Sequence, residues 1–260
     1  MKYLLKELEI MTISKIITRK NLKFKNLIIG IIISLLLGFL FYGSGTLTIN
    51  DKPINSFDGA ISTLLPITMF FSSVIATFVS ANSIPDEYNN KRNQLIYIRG
   101  IKQVEYHLKI TLGNIMSSVF FMAILFIPVL IIGFRYDNNI NLLKLIGVFL
   151  LSLPNIIFIS LVSTSLSNIG GFLLGAIGGM LFTIIGYFHE ILDFLSKMTE
   201  GVLLKIIEIV LKITPNLYGV LNIGKNYLFG NKLDFKALYS VGIGIIVAII
   251  VLIVYKRKND

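Results

Sequence analysis

Ser165-Leu166-Ser167-Asn168-Ile169-Gly170-Gly171 sits in the middle of an uncharged run of 45 residues, 145–189. One bilayer crossing takes about 20 apolar residues, so this run is about twice too long for a single helix. Ser, Asn and Gly clustered at its centre are turn formers. The run is therefore expected to be two membrane helices joined by a tight turn. Working outward, the other uncharged runs are 26–50, 59–85, 110–134 and 237–255. Together they predict an all-α, polytopic membrane protein with six spans near 26–43, 59–81, 109–134, 143–167, 171–188 and 236–255. An even number of crossings places both termini on one side.

The composition agrees. The chain has 260 residues, 55% of them hydrophobic and only 15% charged, against about 25% charged in soluble domains, and its mean hydropathy is +0.80. This excludes a soluble enzyme, and the abundance of Leu, Ile, Val and Phe excludes intrinsic disorder. With no Cys there is no disulfide framework, thiolate metal site or cysteine nucleophile.

A net charge of +10 in a soluble chain would point to nucleic acid, but here its distribution matters more, and no nucleic-acid partner is expected. The first 25 residues, the 82–109 loop and the tail hold 15 Lys and Arg with a net of +9, whereas the opposite loops hold nine with a net of +1. Basic residues stay cytoplasmic, which predicts a plasma-membrane protein with both termini inside. Glu7 and Glu9 and the lack of a small-residue cleavage site argue against a signal peptide at 1–25. Leu4, Leu5, Leu8, Met11 and Ile16 at helical spacing among Lys and Arg predict instead an amphipathic helix on the anionic inner leaflet, in contact with membrane lipids. Residues 26–260 then form a single transmembrane domain.

The segment 189–231 lies on the outer side by this topology. Ile191, Leu192, Phe194, Leu195, Met198, Val202, Leu203, Ile206, Ile207, Val210 and Leu211 recur at helical spacing with sparse charges between them. One or two short helices capping the outer leaflet are expected, ended by Pro215, with Asn216 to Gly219 returning the chain.

Motifs for chemistry are weak. Gly219 to Asn226 matches a phosphate-binding loop except that Asn226 replaces the Ser or Thr, and no strand precedes it. ATP hydrolysis by this chain is not expected. His189-Glu190-Ile191-Leu192-Asp193 resembles a zinc-protease helix with Asp for the second His, but the other His, His107, falls on the opposite side. A charged collar at the end of span five is the simpler reading. No catalytic residue, metal site or cofactor is expected in the chain. The expected span interiors hold no Asp, Glu, Lys or Arg, which disfavours proton-coupled transport.

Small residues form two stripes at four-residue spacing: Gly30, Ser34 and Gly38 in span one, and Gly171, Gly175, Gly179 and Thr183 in span five. Such stripes permit close helix approach in lipid and predict either dimer packing or a tight helix pair. In the loop 82–108, Ser83 and Asp86 fit a helix start, Pro85 the first turn and Gly100 a stop. The expected product is a short amphipathic helix pairing Leu95, Ile96 and Ile98 with Lys91, Arg92 and Arg99, suited to docking a partner.

This order of elements resembles a type-2 ABC exporter permease, the ABC-2 class that pairs with a separate ATPase. The resemblance runs over nearly the whole chain and is densest at Asp86-Glu87-Tyr88, Gln94-Leu95 and Arg99-Gly100. It implies that Asp86, Glu87, Tyr88, Lys91, Arg92, Gln94, Leu95 and Arg99 form a coupling helix seated in the ATPase. It further implies two ATPase copies binding ATP and Mg, and a second permease copy, identical or homologous, packed on spans one and five. The 189–216 segment would be an outer gate. Bacteriocin-immunity, lantibiotic and phenol-soluble-modulin exporters are similar in character, so the implied cargo is amphipathic peptides, toxins or lipid-like molecules leaving by alternating access. Phe70, Phe71, Phe78, Phe120 and Phe121 are candidates for the substrate path by position. An uncoupled channel or secondary transporter, and an intramembrane enzyme, are the alternative classes.

Overall fold

A computed structural model describes residues 2–43, 48–49, 52–53, 57–136, 142–255 and 257. Its helices are α1 (Lys2–Asn21), α2 (Phe24–Gly43), α3 (Phe57–Asn89), α4 (Arg92–Ile98), α5 (Gln103–Tyr136), α6 (Leu142–Tyr187), α7 (His189–Ser196), α8 (Val202–Ile213), α9 (Leu217–Phe229) and α10 (Lys236–Val254). A two-residue hairpin pairs β1 (Thr48–Ile49) with β2 (Lys52–Pro53). The protein is an all-α, membrane-type bundle. α3, α5, α6 and α10 are each long and apolar enough to cross a bilayer, and two bent pairs, α1–α2 at 57° and α8–α9 at 59°, reach that length together.

The decisive turn lies where the sequence placed it. Inside α6, Gly170 and Gly171 leave helical geometry, Gly171 with φ 77° and ψ −170°, a region open to glycine and costly for other residues. The arms 142–169 and 172–187 then fold back on one another. A Cβ on Gly175 would lie 2.6 Å from Ser167 Cβ, and one on Gly179 only 2.1 Å from Ser163 Oγ. Contacts this close need glycine on one helix and small side chains on the other.

Of the two readings of these stripes, dimer packing or a tight helix pair, the contacts within the chain supply the helix pair. Gly175, Gly179 and Thr183 are buried inside the chain, against the other arm of α6 and against Ala81 and Thr77 of α3. The stripe on α2 is likewise occupied from within. A Cβ on Gly30 would meet the Phe121 ring at 3.0 Å, Ser34 Oγ donates to Ile124 O at 3.0 Å, and Gly38 faces Pro128. Both stripes pack helices of one chain, and the outward face of α2 is the large residues Ile28, Ile32, Leu35 and Phe39.

α3 and α5 run to 33 and 34 residues, about 50 Å each at 1.5 Å per residue, against a hydrocarbon core of about 30 Å. They are long enough to project beyond such a layer, and the 82–108 stretch joins them at one end. The expected helix start at Ser83 and Asp86 is corrected here. α3 continues unbroken through Pro85 to Asn89, and the Ser83 hydroxyl donates to Asn114 Oδ1 at 2.6 Å in place of capping a new helix. The break comes at Lys91, in the left-handed region at φ 54°, and α4 follows. Gly100, at φ +80°, stops α4 as expected.

At the other end, 189–231 forms three helices. α7 and α8 have no buried residue. α9 departs from the expectation of a returning strand of chain. Leu217, Val220, Leu221, Ile223, Gly224 and Leu228 are buried on it, because its apolar face completes the core against α6. The near match to a phosphate-binding loop is therefore an ordinary stretch of helix.

Candidate functional site

The polar end of the bundle is assembled from elements far apart in sequence. Glu87, 5% exposed, is brought by the last turn of α3 to face three donors. Lys20 Nζ of α1 lies 2.8 Å from Glu87 Oε1, Arg92 Nε of α4 donates to the same oxygen at 3.0 Å, and the Tyr106 hydroxyl of α5 donates to Oε2 at 2.6 Å. Asp86 is ion-paired with both Lys20 and Arg92. One carboxylate pair thus ties together α1, α3, α4 and α5.

Burial alone would raise the pKa of Asp86 and Glu87. The hydrogen bonds and positive charge of Lys20 and Arg92 outweigh it, with Tyr106 adding to Glu87, and both carboxyls are held below their ordinary values. Burial, then the adjoining Glu87, pushes the Tyr106 hydroxyl up, so it stays a donor. Beside it, His107 lies on the polar side of the expected span 109–134. Burial first, and the Arg257 charge second, lower its pKa to about 4. It is neutral near pH 7, with Tyr88 Oη 3.0 Å from its Nε2.

The tail closes this end. Gln103 donates to Arg257 O at 2.8 Å, Arg257 donates to Ser167 O at 2.9 Å and stacks over the Tyr88 ring, and Asn168 donates to Tyr255 O at 3.1 Å. The tip of the α6 hairpin, the end of α10 and α4 consequently share one face of the molecule, together with the end of α1.

On this base α4 presents two sides. Ile96 and Tyr97 pack inward with Tyr88, Ile101 and Tyr106. Leu95 and Ile98 point outward, 64% and 82% exposed, with Lys91, Gln94, Arg99 and Lys102 exposed around them. The eight residues singled out in the sequence therefore divide. Asp86, Glu87, Tyr88 and Arg92 hold the platform, and Lys91, Gln94, Leu95 and Arg99 face away from it. Lys20 and Tyr106, essential to the geometry, went unmarked in the sequence, because Lys20 comes from a distant helix and Tyr106, though inside the 82–108 stretch, carries no charge.

α1 also has a protein face. Ser14 Oγ donates to Lys109 O at 2.9 Å and Asn21 Nδ2 to Asn114 Oδ1 at 3.0 Å. At Gly113 a Cβ would collide with Ile17 Cβ and Ser14 O, each at 2.8 Å. α1 is docked along α5, so the membrane surface is not its only support.

No protein-family model, curated protein or solved structure matches this chain. The site has to be read from its own chemistry.

Below the platform lies a seam of buried hydroxyls and amides that carry no charge to mark them in the sequence. Asn114 accepts from Ser83 and Asn21 and donates to Thr164 Oγ1 at 3.0 Å, while Ser80 and Ser160 share a 2.7 Å hydrogen bond. Four helices meet at that one amide. The signal was present as Ser73, Thr77 and Ser80 on α3 and Ser160, Ser163, Thr164 and Ser167 on α6, at three- and four-residue spacing within uncharged runs.

The aromatic candidates for a substrate path do not converge. Phe121 is fully buried against Gly30, Phe70 stacks edge-on against Phe71 and Tyr187, and Phe78 and Phe120 are about half exposed. None lines the cleft beside α10. That cleft, of about 570 Å³, runs between α6, α10 and the end of α8, walled by Phe158, Val162, Phe182, Pro215, Gly244 and Val247 among others. At the same end of the bundle His189, Glu190 and Asp193 share α7. Glu190 accepts from Asn222 and Asp193 pairs with Lys197. No group of three or more potential metal-ligating His, Cys, Asp or Glu occurs among the described residues.

Proposed function

We propose that this chain is the membrane-embedded permease subunit of an ATP-driven exporter, powered by a separate ATPase that docks on α4. The observation that carries the reading is the outward pair Leu95 and Ile98, exposed on a seven-residue helix and ringed by Lys91, Arg99 and Lys102. An exposed apolar pair inside a basic rim suits a partner groove that is apolar at its floor and acidic at its edge. Behind it, the Lys20–Glu87–Arg92–Tyr106 cluster gives α4 a stiff mounting. A push on α4 would pass into α1, α3 and α5 together, and through Asn114 into α6.

In this reading ATP and Mg belong to the two partner ATPase copies, and this chain has no catalytic role. The polar end faces the cytoplasm of a plasma-membrane protein, as the +9 against +1 charge split favours. The cargo is amphipathic, a peptide or toxin, because the bundle offers apolar walls and hydroxyls. A second copy, identical or homologous, packs on outward residues such as Ile28, Ile32, Leu35 and Phe39 of α2, since the small-residue stripes are already filled.

The test is purification of a tagged chain from its native membrane in mild detergent, with mass spectrometry of what stays bound in stoichiometric amount. An ATPase subunit is expected, and it should be lost in L95D/I98D while the melting temperature holds. Arg92 is unsuitable as a probe because its loss would loosen the mounting itself. Recovery of the chain alone under several mild conditions would overturn the exporter and favour an uncoupled channel.

A further inference from the structure

The cleft between α6, α8 and α10 is polarised along its length. Its α10 wall is one helical stripe, from Lys236 through Ser240, Gly244 and Val247 to Val251, about 22 Å long at 1.5 Å per residue. The facing wall is Phe158 and Val162 of α6, and the hydroxyls along it are spent within the fold. Ser165 donates to Ala248 O at 2.9 Å, and Ser240 donates to Ala237 O at 2.7 Å. The trough beside Ser165 and Ser240 is therefore mainly apolar.

Its outer mouth is the opposite. Lys212 at the end of α8, Lys236 at the start of α10 and His189 at the start of α7 gather there. None of the three side chains has a hydrogen bond or ion pair among the described residues. Among the described residues no Asp or Glu lines the cleft. The nearest carboxylates by chain are Glu190, which follows His189 and accepts from Asn222, Glu208, one turn before Lys212, and Asp234, whose Oδ1 accepts from the Lys236 backbone N–H. The volume of about 570 Å³ falls in the range of small-molecule sites, about 300–1,000 Å³.

A charged mouth over a long apolar trough between helices has the polarity of a membrane lipid. We propose that this cleft is a binding site for an anionic lipid, its phosphate held by Lys212 and Lys236 and one acyl chain laid along the Ser240–Val251 face of α10. The assignment needs only that the bundle sits in a bilayer, and so stands or falls separately from the exporter reading.

The test is native mass spectrometry of the full chain titrated with phosphatidylglycerol or with phosphatidylcholine of the same acyl chains. Phosphatidylglycerol should be retained preferentially, and K212Q/K236Q should weaken it by on the order of twentyfold while leaving phosphatidylcholine unchanged. V247W, which fills the trough at a half-exposed position, should weaken both lipids. Should V247W fail to fold by its melting curve, the lysine pair still decides. Equal retention of the two lipids, or selectivity unchanged in K212Q/K236Q, would overturn the proposal. So would inorganic phosphate alone stabilising the wild type as well as phosphatidylglycerol does, which would make the lysines a free-anion site.

Discussion

The two ends of this bundle are built from similar residues and held in contrasting ways. At the polar end a seven-residue helix, too short to be stable alone, is fixed by a buried carboxylate that faces Lys20, Arg92 and Tyr106. At the other end α8 is longer, at 12 residues, and has no buried side chain. Length and apolarity therefore do not decide which segment is rigid. What decides is whether a segment supplies a group that other elements must satisfy, since an unmatched buried charge costs far more than an exposed Leu.

Glu87→Leu is the most direct way to break that contrast. It leaves Tyr106 without its acceptor and Lys20 and Arg92 with Asp86 alone, and since both cations are partly exposed a loss of about 3 kcal/mol is expected. Thermal melting in detergent reads the loss, and hydrogen exchange should show it concentrated in α1 and α4. A loss below about 1 kcal/mol would mean the cluster is solvated and the mounting is not stiff.

His107 gives the same end a pH dependence of the next size. Its folded pKa of about 4 lies below the ordinary 6.5, so the unfolded chain binds the proton more tightly. Its contribution is complete above about pH 6.5 and declines as pH falls toward 4, by about 3 kcal/mol at most. Asp86 and Glu87, also held low, act in the same direction at more acid pH. Melting temperature measured across that window should fall in the wild type and flatten in His107→Phe.

Gly113→Val sharpens the role of α1. The new side chain meets Ile17 and the Ser14 carbonyl at under 3 Å, and an overpacking cost of about 2 kcal/mol is expected, with protease sensitivity appearing in α1 first. The smallest effect belongs to α8. Leu203→Ser with Ile206→Ser should change the melting free energy by no more than about 0.5 kcal/mol, since both side chains are more than half exposed. A loss several times that size would show that α8 is packed against something in the membrane.

The sequence made much of the fold readable because the bilayer asks a simple question of it. Every expected span coincides with a helix to within one residue at its end, and the turn at Gly170-Gly171 was visible because one uncharged run was twice too long. The platform was only half readable. Asp86, Glu87 and Arg92 stood out as charges in a loop, but nothing local marked Ser83 as an internal donor, and the apparent helix start there failed because α3 had a partner in Asn114. The two glycine stripes were read correctly as close-packing faces. Their partner was not readable, since a small residue records only that something comes near.

The sequence by itself determined the class of the protein, an all-α membrane bundle with its basic residues gathered at one end. Hydropathy and charge are summed residue by residue along the chain, so they survive without coordinates. The tertiary structure alone decided that Glu87 faces Lys20 and Tyr106, that the glycine stripes close on the chain's own helices, and that Lys212 and Lys236 meet over one cleft. These are relations between helices, set by which faces turn toward each other, and spacing along a single helix carries no record of its neighbour.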